Sequence, residues 1–224
     1  MSFSNEWDEQ YRNNNHMSVW PWSQLVSLCL RHTQLGNRDP DFYVLEVGCG
    51  AGANIPFFLS YTDNVFALDG STFIIDALKK RFSGIESNFL VSDFTKEIPF
   101  QKTFDLIVDR GASVHNDTYS IEQYLELAYH KLKPGGNLVI TDWFSTEHGY
   151  FEKGLTSETS EYTKSGYTSG PFANVGNVHF FDKKEIQRLT AKFKICHLEH
   201  SITKVDGIEE QGAAWHLVLE KIDA

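Results

Sequence analysis

Glycines at positions 48, 50 and 52 follow directly on a run of β-formers, Val44 to Val47, and Glu46 stands two residues before the first of them. Glycine lets the backbone pass close to a ligand without a clashing Cβ. A helix that starts just beyond such a loop offers free N–H groups and the positive end of its dipole. This arrangement suits a nucleotide-like ligand or a carboxylate. Two further carboxylates end the next apolar runs. Asp69 closes NVFALD and is followed by Gly70 and Ser71; Asp93 closes NFLVSD and is followed by Phe94. An Asp at the first of these places can accept hydrogen bonds from both hydroxyls of a ribose. An Asp beside an aromatic at the second can accept from an adenine amino group while the ring packs alongside.

The elements that position these groups alternate. Residues 21–35 read as an amphipathic helix, with Pro21 in its first turn. FYVLEV (42–47) is a buried strand, and a short helix is expected near 52–60. Strands are expected at 64–69, 88–93, 103–110 and 137–144. Helices are expected at 71–82, with Ser71 as N-cap and Gly84 as stop, and at 120–132, closed by Lys133-Pro134-Gly135-Gly136. Strand–helix alternation of this kind predicts an α/β, Rossmann-like fold. Its sheet is mainly parallel, with helices on both faces and ligands at the C-terminal ends of the strands. A helix at 182–193 and two terminal strands, KICHLEHSI and AAWHLVLEKI, complete the chain as an antiparallel hairpin. Residues 145–180 show no period.

The glycines alone do not select the ligand. Gly48-x-Gly50-x-x-Ala53 also satisfies the looser dinucleotide fingerprint, so NAD and S-adenosylmethionine (SAM) both fit, and a purely structural glycine turn is the remaining reading. Glu46 separates them: its carboxylate is a poor neighbour for a pyrophosphate and a good one for the cationic amino group of SAM. Asp69 suits either nucleoside.

Strand–ExGxGxG–helix, then ALDGS, SDF, FDLIVDRGA and LKPGGNLVITD, in that order, resembles the class I SAM-dependent methyltransferase family over about residues 40–144. WDEQY near the start, with WPW further on, is similar to the lead-in of its bacterial small-molecule members. The resemblance implies a seven-stranded sheet whose last strand is inserted antiparallel. It implies SAM as cofactor, with Gly48, Gly50 and Gly52 against its methionine part and Glu46 beneath them. Asp69, with Gly70 and Ser71 nearby, would take the ribose, and Asp93 and Phe94 would flank adenine. Asp109, Arg110 and Gly111 would border the methionine end and the methyl group.

Methyl transfer from a sulfonium needs alignment more than acid–base help, but a hydroxyl nucleophile must lose a proton. His115, just past the fourth strand, is the candidate base; the other reading is a histidine that bonds its own turn or lines the cofactor pocket. Asp142 and Trp143, ending the fifth strand, are placed toward the acceptor, although Asp142 serves equally as a cap for the following loop. Tyr150 belongs with them on the substrate side. Within 145–180, His148, Phe151, Tyr162, Tyr167, Phe172 and His179 suit a lid, or simply pack on the sheet. Trp7, Tyr11, Trp20 and Trp22 are placed to close over the cofactor, and a helix-packing stripe accounts for Trp20 and Trp22 as well. His197 and His200, three apart in a strand, point to opposite faces and make no metal pair.

Composition narrows the partners. The formal charge of −10 disfavours loose binding to nucleic acid. Cys29, Cys49 and Cys196 are sparse and odd in number, with no CxxC spacing, which excludes a disulfide framework or zinc motif and suits a reducing compartment. No leader-like or membrane-spanning run is present. The reading is therefore one domain over 1–224, with a helical cover at 1–39 and a substrate-side insert at 145–180. It is a cytoplasmic SAM-dependent methyltransferase acting on an O or N atom of a small metabolite such as a sugar or biosynthetic intermediate. It binds no nucleic acid, membrane or metal, and is a monomer or a homodimer. The alternatives are an NAD-linked oxidoreductase and a non-catalytic SAM-binding protein.

Overall fold

Burial of the central strands on both faces explains the architecture. The computed structural model describes residues 5–222; residues 1–4, at the start of the expected cover, and 223–224 lie outside the described residues. Five strands run parallel: β1 (Val44–Val47), β2 (Val65–Asp69), β3 (Phe89–Val91), β4 (Phe104–Arg110) and β5 (Leu132–Phe144). A two- to three-residue set, β6 (Leu155–Thr156), β7 (Thr163–Ser165) and β8 (Val178–His179), forms a small separate sheet. The hairpin β9 (Phe193–Thr203) and β10 (Gly212–Lys221) joins the main sheet antiparallel, giving the order β3-β2-β1-β4-β5-β10-β9. The seven-stranded, Rossmann-like sheet with an inserted antiparallel last strand is therefore present.

Alternate residues feed two cores, one on each face. Val44, Val65, Ala67, Leu106, Val108, Val139 and Val218 face α2 (Ser23–His32), α3 (Ile55–Leu59) and α4 (Thr72–Arg81). Their neighbours Leu45, Val47, Phe66, Leu68, Ile107 and Leu138 face α5 (Thr118–Lys131) and α6 (Lys183–Leu189). Side chains in a strand alternate faces, so a sheet covered on both sides needs apolar residues at every position. That is why these strands read as unbroken apolar runs.

The helix ends follow local chemistry. Ser71 caps α4 by accepting from Ile74 N–H, and Asp117 and Asp182 cap α5 and α6 in the same way. Helix α6 stops at Leu189, earlier than expected, because Thr190 bonds back to Ile186 and Phe193 already pairs with Lys221. Strand β5 starts early: Leu132 pairs with Phe104, then residues 133–136 are skipped before Asn137 meets Leu106. The Lys-Pro-Gly-Gly turn thus loops out between two stretches of one ladder. A first helix, α1 (Asn5–Arg12), docks on α4 through Ser71 Oγ donating to Asp8, and Arg12 lies over the Phe73 ring at 5.1 Å. The segment 145–180 carries β6–β8, whose strands are too short to show a period in sequence.

Candidate active site

At the C-terminal edge of the parallel strands lies a cavity of about 510 Å³, a normal size for small-ligand sites. Its floor is the glycine loop. Gly48 and Gly50 have φ near 60° and 50°, and a Cβ on Gly48 would come within 2.3 Å of Ala112 Cβ. Gly48 is required on steric grounds, the left-handed φ at Gly50 favours glycine, and both border the cavity. Gly52 differs: its added Cβ would meet Leu78 Cδ2 at 2.5 Å, so it serves the packing of loop on α4 and does not border the cavity.

Glu46 is buried at the end of β1. Asn54 Nδ2 donates to its Oε1 at 2.7 Å, and its Oε2 has no hydrogen-bond partner among the described residues. Burial pushes its pKa up to about 7, against the lowering effects of Asn54 and Arg110. Asn54 Oδ1 also accepts from Trp22 N–H at 3.1 Å, so one amide ties the start of α2 to the Glu46 carboxylate. Asp69 is likewise buried. Gly50 N–H and Ser71 N–H each donate to one of its oxygens at 2.9 Å, and burial raises it to about 6. Each oxygen keeps a lone pair for a further donor. Gly70 borders the cavity beside it; Ser71 does not, being engaged as N-cap of α4 and by Asp8.

Asp93 and Phe94 also border the cavity. The Asp93 carboxylate holds its own turn: Thr95 N–H and Oγ1–H donate to Oδ1, and Lys96 sits 3.0 Å from Oδ2. Phe94 packs edge-on to Tyr124 at 5.1 Å. Asp109 faces away from the cavity and is fully buried. It accepts from the Ala112 and Ser113 N–H groups and from the Ser113 hydroxyl, and so shapes the loop after β4. Burial raises its pKa too. Arg110, one residue on, does reach the cavity. Its Nε lies 2.9 Å from Asp142 Oδ2, off the line of a hydrogen bond, and its guanidinium stacks on Trp22 at 3.7 Å. Asp142 also borders the cavity.

Two acceptor-side expectations are corrected. Trp143 does not face the cavity. It is fully buried, stacked on Phe181 at 4.1 Å, and its Nε1–H donates to Ser113 Oγ at 2.8 Å. The cause is Asp142, whose φ of 60° breaks the alternation of β5. Ile140 and Trp143 therefore share one core, while Asp142 turns to Arg110. Opposite it the β5–β10 ladder slips between Trp215 and Leu217, and the intervening His216 takes the Asp142 N–H on Nδ1 at 3.3 Å. Tyr150 also misses the cavity; its ring packs on Phe172 and His148, each at 5.9 Å.

His115 borders the cavity. Its Nδ1 lies 3.2 Å from the Asn177 carbonyl oxygen, and burial pulls its pKa down to about 4. It sits edge-on to Trp7 at 4.7 Å. From the same helix Tyr11 closes over the loop, its hydroxyl 3.3 Å from where a Gly50 Cβ would stand. Trp22 also lines the cavity, whereas Trp20 is 81% exposed. Sequence reasoning missed His16, Asn54, Phe144 and His216. Asn54 alone carried a signal, as a polar residue at the start of the helix after the glycines. Among the described residues no group of three or more His, Cys, Asp or Glu is placed to hold a metal, and no helix is long and apolar enough to cross a membrane.

Residues 44–136 match the family model described as a methyltransferase domain. Phosphoethanolamine N-methyltransferase of Plasmodium falciparum is 31% identical over 127 residues, 54% of this chain and 45% of that protein. The chain spans less than half the length of the curated relatives it matches. A SAM-dependent methyltransferase from Anabaena variabilis superposes with a TM-score of 0.67 at 16% identity, covering 98% of this chain and 93% of that one. The N-methyltransferase NodS of Bradyrhizobium japonicum, solved with S-adenosylhomocysteine, superposes with a TM-score of 0.61 at 17% identity, covering 98% and 100%. At such identities these structures show a shared fold. Matched segment and strand order agree: residues 44–136 match a methyltransferase domain, and they lie in a sheet that shares its fold with the solved SAM-dependent methyltransferases. SAM is the cofactor named for the Anabaena protein. The site fits it, because a buried carboxylate oxygen without a partner, Glu46 Oε2, calls for a cationic donor such as the cofactor's ammonium group.

Proposed function

We propose that the chain, as one domain, is a methyltransferase that moves the methyl group of SAM to an O or N atom of a small metabolite. The bare Glu46 oxygen beside the glycine loop carries this reading. Gly48 and Gly50 admit the methionine part, and Glu46 binds its ammonium group. Asp69 accepts from the ribose, and Phe94 packs by the adenine. Phosphates of a dinucleotide would meet the Glu46 carboxylate as a like charge, which disfavours the NAD alternative.

When bound, SAM supplies a methyl carbon made electrophilic by the positive sulfur. The chain's own residues orient, exclude water and move a proton. Rings from α1 and from 145–180 cover the cavity, and orientation in such a site lowers a bimolecular barrier by roughly 7–11 kcal/mol. His115, neutral at pH 7, accepts the proton of the nucleophile.

Calorimetry with S-adenosylhomocysteine and NAD tests the proposal. The expected result is binding of the sulfur ligand, weakened about tenfold in Asp69→Ala by the lost ribose hydrogen bonds. Binding of NAD with no response to S-adenosylhomocysteine would overturn it. Release of S-adenosylhomocysteine on addition of an acceptor separates an enzyme from a silent binder.

A further inference from the structure

Beyond Asp69 and the glycine loop the cavity opens into a chamber walled by rings. Trp7 meets His115 at 4.7 Å, and Phe144 lies 6.4 Å from His115, 5.8 Å from His148 and 4.8 Å from Phe172. All five border the cavity, and they come from α1, the loop after β4, β5 and the segment 145–180. Ring walls favour a flat guest, by roughly 0.5–1.5 kcal/mol per ring pair beyond the area buried.

The backbone sets the tautomers of two of these rings. His115 Nδ1 faces the Asn177 carbonyl oxygen at 3.2 Å, a contact that needs a proton on Nδ1. Its Nε2 therefore holds the lone pair. His148 Nδ1 accepts from Tyr150 N–H at 3.2 Å, so its proton is on Nε2. Burial lowers the pKa of both, keeping both neutral. These two histidines thus supply one uncharged hydrogen-bond acceptor and one uncharged donor among the polar residues that line the cavity.

Charge points the same way. Among the described residues, Arg110 is the one Lys or Arg lining the cavity. It is already paired with Asp142 at 2.9 Å and stacked on Trp22 at 3.7 Å. An acceptor bearing a phosphate or carboxylate would share this one guanidinium with Asp142 and would meet the carboxylates of Glu46, Asp69, Asp93 and Asp142, which line the same cavity.

We propose that the methyl acceptor is a flat, uncharged aromatic or heteroaromatic molecule that carries an N–H or O–H together with a carbonyl or ring nitrogen. This rests on the methyltransferase reading above. The N–H or O–H is the methylated group and donates to His115 Nε2; the carbonyl or ring nitrogen accepts from His148 Nε2–H. In the transfer, a lone pair on the acceptor atom forms the new bond to the methyl carbon. The S–CH3 bond breaks with its electron pair left on sulfur, and the acceptor's proton passes to His115 Nε2 and on to solvent.

Calorimetry on the full chain saturated with S-adenosylhomocysteine reads the acceptor chamber without turnover. The probes are 4-quinolone and 7-hydroxycoumarin, which are flat and uncharged, against phosphoethanolamine and methyl glucoside. The expected result is binding of the two flat probes at least tenfold tighter than the other two. His115→Phe and His148→Phe keep a ring and remove a hydrogen bond. Each should weaken 4-quinolone about tenfold and leave S-adenosylhomocysteine affinity unchanged. Failure of both flat probes to bind, equal or tighter binding of phosphoethanolamine or the glucoside, or unchanged 4-quinolone affinity in both variants would overturn the inference. Failure of S-adenosylhomocysteine to bind the wild type would instead remove the methyltransferase reading beneath it.

Discussion

Replacing Glu46 by Gln should make the protein more stable and a worse binder of its cofactor. Burial raises Glu46 from 4.5 to about 7. At 1.36 kcal/mol per pH unit, holding it ionised in the folded chain costs about 3 kcal/mol. The sign follows from proton uptake. Between pH 4.5 and 7 the folded chain keeps the proton that the unfolded chain has lost. Stability therefore falls as pH rises through that window and is flat above it. Gln removes this cost but leaves an amide N–H where Oε2 had no partner, which returns roughly 1–2 kcal/mol. The net gain at pH 8 is about 1–2 kcal/mol, and it shrinks as pH falls toward 5. Urea denaturation at both pH values measures it. Cofactor binding should move the other way. A hydrogen bond to a charged group contributes about 1.5–3 kcal/mol, so S-adenosylhomocysteine should bind the variant roughly ten- to a hundredfold more weakly at pH 8. In the wild type, affinity should fall as pH drops through 7, because the proton must leave Glu46 before the ammonium binds. The variant keeps only the later step from Asp69, near 6. Equal affinity of the two proteins at pH 8, or a wild-type affinity unchanged between pH 6 and 8, would refute this reasoning.

Three further outcomes are expected. Trp143→Ala should cost about 3–5 kcal/mol in a denaturation experiment, because it empties a fully buried site stacked on Phe181; a stability near wild type would return Trp143 to the acceptor side. Ser71→Ala should lower stability by about 1 kcal/mol, read as a fall in melting temperature, since it removes the cap of α4 and its bond to Asp8 in α1. His216→Ala should cost about 1 kcal/mol by orphaning the Asp142 N–H, and it should raise KM for the acceptor while S-adenosylhomocysteine affinity holds; equal loss of both would show that Asp142 does not act on the acceptor side alone.

Much of this is legible in the sequence. Strand ends and the glycine loop are local signals, and alternation places Glu46, Asp69 and Arg110 on the sheet face shared by Val44, Ala67 and Val108. The same rule puts Asp109 on the other face with Ile107, where it braces the loop after β4. Being at a strand end was not enough; parity decided. Trp143 escaped because one left-handed residue, Asp142, together with the slip at His216, inverted the parity of the last residues of β5. Neither a positive φ at an Asp nor a slip in a distant partner strand leaves a mark in sequence. Gly52 looked like its neighbours but answers to Leu78 of α4, a contact that only tertiary packing creates. The chamber rings were visible as an aromatic-rich stretch, yet they gather with Trp7, more than a hundred residues away in the chain, and with His115.

A crystal structure with S-adenosylhomocysteine bound tests the central claim most directly. The ligand's amino group should lie within hydrogen-bond distance of Glu46 Oε2, its ribose hydroxyls on Asp69, and its sulfur toward the ring-walled chamber. A ligand seated elsewhere, or turned so that its adenine meets Glu46, would contradict the account.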